Sequence, residues 1–83
     1  MSVERIILKN LLRNENYTRK VLPFLKSEYF LADDDRVLFQ TIQDFILKYN
    51  AQPTKDSLLI EIDSIKNLTE DTVKKIQNNL DQI

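Results

Sequence analysis

The acidic run Asp33-Asp34-Asp35 is the densest group of side chains in this sequence that could do chemistry. Three adjacent carboxylates could hold a hard cation such as Mg²⁺. At the start of a helix the same run would cap free amides and face the positive end of the helix dipole, and we favour this interpretation. Three further carboxylates have the wrong spacing for one helical face and are interpreted as solvated surface: Asp56, Glu61 and Asp63.

Cysteine, histidine and glycine are all absent from the chain. Without cysteine and histidine, the usual zinc and transition-metal ligands and the Ser-His and Cys-His nucleophile pairs are excluded. Without glycine, a Walker A loop or a dinucleotide-binding loop is excluded, because both need positive φ angles and close approach to phosphate. We therefore predict no catalytic residue, no cofactor site and no metal site in this chain.

The net charge of −1 hides an uneven distribution. Residues 1–26 carry six Lys or Arg and two Asp or Glu, a balance of +4, whereas residues 27–83 carry six and eleven, a balance of −5. The cations of this basic N-terminal segment could contact nucleic-acid phosphates. The pI near 5.3 and the lack of interleaved exposed aromatics favour solvated surface instead. The candidate phosphate contacts are Arg13, Arg19, Lys20 and Lys26.

Apolar spacing predicts an all-α fold, a compact orthogonal bundle of about five short helices formed by the single domain 1–83. The expected helices lie near 3–13, 15–22, 34–49 and 55–66, with a fifth after Thr69. Asn14 or Asn16, Thr54 and Thr69 are the expected N-caps. The helix at 34–49 is expected to be central. Five large apolar residues before it are expected to fold onto the core: Phe24, Leu25, Tyr29, Phe30 and Leu31.

The last helix carries a narrow apolar stripe, with one apolar residue per turn. Such a stripe can dock onto the third and fourth helices of the same chain. It can also form a seam that packs against another chain or a continuation of this one. As the candidate protein-interaction surface we select this stripe: Val73, Ile76, Leu80 and Ile83.

The sequence has no apolar run of the ~18–20 residues that cross a bilayer, and its start does not resemble a signal peptide. We therefore expect a cytoplasmic protein with no membrane partner.

The order and spacing of apolar and polar positions resemble the N-terminal domain of DnaB-like replicative DNA helicases, most closely the T-even-type phage version. The similarity covers residues 3–62 and consists of diffuse apolar positions with a few polar ones between them. It is carried by Glu4 through Leu12, Tyr17 through Lys26, Glu28-Tyr29-Phe30, Arg36, Leu38-Phe39, Ile42, Phe45, Lys48-Tyr49-Asn50, Pro53-Thr54 and Ser57 through Glu61.

This resemblance implies a collar domain of a hexameric 5′–3′ helicase whose ATPase lies in a separate C-terminal domain. Its implied partners are sister helicase subunits and primase, as part of the primosome in phage DNA replication. The domain would contact DNA only indirectly, through the full helicase. Family members continue from the helical head into a helical hairpin, which here could start near 69–83. The glycine-free chain contains no motor of its own. The alternative is a small phage-type regulator or adaptor that contacts nucleic acid through its basic first quarter.

Overall fold

The computed structural model describes residues 3–83, and within that range the chain forms five α-helices and no strand. This confirms the predicted all-α fold. Two short 3₁₀ turns, Leu22–Phe24 and Ser27–Tyr29, connect the second helix to the third. The helices are α1 (Val3–Arg13), α2 (Glu15–Val21), α3 (Asp33–Tyr49), α4 (Lys55–Asp63) and α5 (Glu70–Gln82).

Short polar side chains begin three of the helices, as the sequence predicts. The side chains of Asn14 and Thr69 accept hydrogen bonds from the backbone amides of Tyr17 and Thr72 at the starts of α2 and α5. Thr54 and Ser57 form a reciprocal capping box at the start of α4, because each side chain accepts a bond from the other's backbone amide. These local bonds satisfy amide groups that have no partner inside the helix.

The core surrounds α3, which is the central helix that the sequence predicts. Leu38, Phe39 and Ile42 of α3 are fully buried. In the second half of the same helix, Leu47 is 75% exposed and lies outside the core. The other helices and the connections contribute the remaining core side chains: Leu8, Leu11, Leu22, Phe30, Leu58, Ile62, Ile76, Leu80 and Ile83.

The turn from α3 to α4 uses an asparagine where many proteins use glycine. Asn50 takes the left-handed conformation, with φ of 49° and ψ of 39°. Asparagine tolerates this conformation better than most residues, so the helix can end abruptly in a glycine-free chain. Gln52 then donates to the carbonyl oxygen of Leu11 at 2.7 Å, and the Thr18 hydroxyl donates to the same oxygen at 2.8 Å. The Gln52 bond ties the turn to the end of α1, and the Thr18 bond ties α2 to the same carbonyl group.

Helix α4 ends at Asp63, about one turn before the predicted end near residue 66. Ser64 bonds to the preceding turn with both its backbone amide and its hydroxyl, and the hydroxyl lies 2.7 Å from the Glu61 carbonyl oxygen. Serine often competes for backbone acceptors in this way and closes a helix. As a result Ile65 leaves the helical path and is 38% exposed.

Candidate interaction surfaces

The stripe predicted as an interaction surface lies in the chain's own core, which is the alternative that the sequence left open, docking onto the third and fourth helices. Ile76, Leu80 and Ile83 are 0%, 1% and 2% exposed, and Val73 is half-buried against the same core. Helix α5 packs on α3 and α4, and this contact covers its apolar face. A side chain that is already enclosed cannot bind a second chain without opening the fold.

The connection between α2 and α3 is the most apolar exposed segment of the described chain. Phe24 is 77% exposed, Tyr29 is 55% exposed and Leu31 is 83% exposed. The prediction that five apolar residues here fold onto the core is therefore wrong for these three. Only Phe30 is fully buried, and Leu25 packs partly against the core. We refer to residues 24–31 as the exposed connection.

The backbone path explains which side chains of the exposed connection face outward. Phe30 adopts an extended conformation, with φ of −98° and ψ of 121°. Successive side chains on extended backbone point to opposite sides. Phe30 points inward and stacks on Phe39, with ring centroids 4.9 Å apart, so its neighbours Tyr29 and Leu31 are directed outward.

The four candidate phosphate contacts are exposed side chains on α1, α2 and the exposed connection. Arg19 pairs with Glu15 at 2.6 Å, one turn earlier on α2, which partly neutralises its charge. Lys20 and Lys26 lie on either side of Phe24 in the sequence, and Tyr29 follows three residues later. Exposed aromatics are thus interleaved with cations, contrary to the pattern that the sequence suggested.

A groove of about 430 Å³ opens between the end of α4 and the first half of α5. Ile65, Leu68 and Val73 contribute apolar side chains to its walls, and the fully buried Ile62 lies at its base. The groove lies beside the connection 64–69, where the chain leaves the helical path after the early end of α4. Apolar periodicity in the sequence did not predict the groove. Ser64 was the local signal for the early end of α4, beside which the groove lies.

The acidic run at the start of α3 is part of a hydrogen-bonded network. Residue Ala32 occupies the N-cap position and no side chain caps the helix, so the predicted capping of free amides by the three aspartates is wrong. All three do lie in the first turn of α3, at the positive end of the helix dipole, as predicted. Instead, Asn79 of α5 donates to Asp34 at 2.5 Å and to Asp35 at 3.2 Å. Arg5 of α1 donates to the side-chain oxygen of Asn79 at 2.8 Å. This network links three helices at one end of the bundle.

Asp33, the first residue of the run, pairs with Arg36 on the surface of α3. Its side chain is 83% exposed. An exposed pair of this kind contributes at most about 1 kcal/mol to stability. The three aspartates therefore have different surroundings, and only the last one is buried.

Burial raises the pKa of the Asp35 carboxyl above its ordinary value. The negative charges of Asp34 and Glu4 raise this pKa further, and the positive charge of Arg5 opposes them. A raised pKa in the folded state favours the protonated carboxyl. The stability that Asp35 contributes is therefore fully present below its unfolded pKa and is lost as the pH rises through its folded pKa.

We expect Asp35→Asn to raise the urea midpoint of unfolding at pH 7, because the amide keeps an oxygen that accepts from Asn79 and carries no buried charge. The gain should shrink toward pH 3, where the wild-type carboxyl is protonated. Asp33→Asn is the matched control on the same helical turn, and it should give a small loss at pH 7. A gain for Asp35→Asn that is equal at both pH values would contradict the raised pKa.

Within residues 3–83, no group of three or more acidic, histidine or cysteine side chains is arranged to hold a metal ion. In the same range no helix combines the length and apolar character needed to cross a bilayer. A scan against protein-family models, a search of curated proteins and a search of solved structures each find no match. The function must therefore be argued from the surfaces of the chain.

Proposed function

We propose that this chain is the non-catalytic N-terminal interaction domain of a hexameric 5′–3′ replicative DNA helicase, which mediates subunit association and primase recruitment in phage DNA replication. The resemblance over residues 3–62 motivates the helicase assignment. The exposed connection is the proposed binding surface, because Phe24, Tyr29 and Leu31 present large apolar side chains to water. Clustered exposed apolar side chains often mark protein-binding sites.

The expected strength of this contact follows from the apolar area available. Full burial of a large apolar side chain contributes about 1.5–3 kcal/mol, so these three side chains together supply less than about 9 kcal/mol. Association costs about 4–15 kcal/mol in lost translational and rotational freedom. The isolated domain is therefore expected to associate weakly, and several such contacts in a ring would reinforce one another.

Sedimentation velocity over a range of protein concentrations tests this proposal. The wild-type chain should show a rising weight-average sedimentation coefficient, and Phe24→Asp/Leu31→Asp should remain monomeric. Leu47→Asp is the matched control, since Leu47 is 75% exposed on α3 outside the exposed connection. Equal association of the wild type and the double variant would remove this surface from the proposal. Titrating the same variants with primase shows whether the exposed connection also binds primase, because primase binding is then measured separately from self-association.

The alternative is a regulator or adaptor that binds single-stranded nucleic acid, and the exposure of Phe24 and Tyr29 beside Lys20 and Lys26 favours it specifically. Bases stack on exposed aromatic rings while cations contact the phosphates. Fluorescence anisotropy with a labelled oligothymidylate would show binding that weakens steeply as salt increases. Lys20→Glu/Lys26→Glu should abolish that binding without changing self-association. Absence of binding at low salt would exclude the alternative.

A further inference from the structure

A second cavity lies beside the groove between α4 and α5. Ile65 lines both the larger groove and a neighbouring cavity of about 120 Å³ between α3 and α4. Phe45 of α3 supplies a half-buried aromatic side chain on the far side. Ile65 is thus a wall shared by both cavities, and we refer to the larger groove and its neighbouring cavity together as the channel.

Carboxylates outnumber cations along this channel. Asp63 and Glu70 line the larger groove and Asp44 and Glu61 line the smaller cavity, against the two cations Lys48 and Lys74. Within residues 3–83, neither Asp63 nor Glu70 forms a salt bridge. In the smaller cavity, Asp44 accepts a hydrogen bond from Gln40 at 2.9 Å and Glu61 accepts one from Tyr49 at 3.4 Å, so the carboxylates open to a partner are those of the larger groove.

We propose that this channel binds a basic amphipathic helix of a partner protein. Apolar side chains spaced by three and four residues would enter the channel beside Ile65, Leu68 and Val73. Lysine or arginine side chains on the flanks of that helix would meet Asp63 and Glu70, two carboxylates without a salt bridge in the described chain. The proposal rests on the proposed function, because it names a second surface and partner class for the same interaction domain.

A labelled 14-residue peptide of leucine and lysine, with leucine at helical spacing, is the direct probe. Fluorescence anisotropy should show saturable binding that weakens as salt increases. A scrambled peptide of the same composition and a leucine–glutamate peptide of the same pattern should bind at least tenfold more weakly. Equal binding of the three peptides would overturn the proposal, because neither helical spacing nor charge would then matter.

Variants of the chain locate the binding site. Ile65→Asp and Asp63→Lys/Glu70→Lys should each weaken peptide binding at least tenfold, and Ile65→Asn provides a milder substitution if the aspartate variant unfolds. Ile60→Asp is the matched control, because Ile60 is 71% exposed on α4 and lines neither cavity. Unchanged binding by the folded Ile65 and charge-reversal variants would overturn the proposal.

Two further outcomes separate this inference from the proposed function. Phe24→Asp/Leu31→Asp should bind the peptide like the wild type, and Ile65→Asp should self-associate like the wild type. Loss of self-association in a folded Ile65 variant would mean that a second copy occupies the channel, which would overturn a basic helix as its ligand. An Ile65 variant that loses peptide binding but still self-associates would leave the proposed function intact.

Discussion

Ile76→Asp is expected to unfold the domain instead of separating associated copies. Ile76 is fully buried in the face of α5 that packs on the core. An unpaired carboxylate at such a position costs several kcal/mol. A chain of 83 residues has a total stability of only about 4–12 kcal/mol, so this single charge removes much or all of it. Ile76→Ala is the graded version, with an expected loss of about 2–5 kcal/mol.

Circular dichroism at 222 nm with urea titration measures both effects. Lys75→Asp is the matched control, because Lys75 is the exposed neighbour on the same helix and should change stability by no more than about 0.5 kcal/mol. A variant with aspartate at position 76 that keeps full helicity and the wild-type midpoint would contradict the burial of this stripe. It would restore α5 as an interaction surface.

Phe30→Ala is expected to lower the free energy of unfolding by about 3–5 kcal/mol. Phe30 is 1% exposed and stacks on Phe39, so truncation removes both apolar burial and the ring contact. Phe24→Ala is the control within the same segment and should change stability by no more than about 0.5 kcal/mol, since Phe24 is 77% exposed.

Urea unfolding of the two phenylalanine variants gives the comparison directly, with the slope confirming two-state behaviour. Similar losses for both would show that Phe24 is buried in solution and would remove the exposed connection as a binding surface. A large loss for Phe30→Ala alone supports the outward path of the connection.

Helix starts could be predicted from the sequence because their determinants are local. Asn14, Thr54 and Thr69 each bond to an amide three residues ahead, so the residue type and the apolar spacing after it are sufficient. The end of α4 was predicted less well. Apolar spacing continues through Ile65, but Ser64 closes the helix first with bonds that depend on its own side chain.

The candidate surfaces could not be predicted because apolar spacing looks the same on a core face and on an interface. The stripe containing Ile76 and Leu80 is narrow, yet the packing of α5 on α3 and α4 encloses it. In the exposed connection, composition suggested burial for five residues, but only Phe30 is fully buried and Leu25 is partly buried. The bonds from Arg5 to Asn79 and from Asn79 to Asp34 join residues more than forty positions apart, so no local pattern predicts them.

A concentration series of ¹H–¹⁵N correlation spectra tests most directly whether this domain binds other chains through the exposed connection. We expect the amide shifts of Phe24, Tyr29 and Leu31 to change with concentration, while those of Ile76 and Leu80 stay constant. Shifts that move on the α5 stripe and not in the exposed connection would contradict this expectation, as would spectra that do not change with concentration.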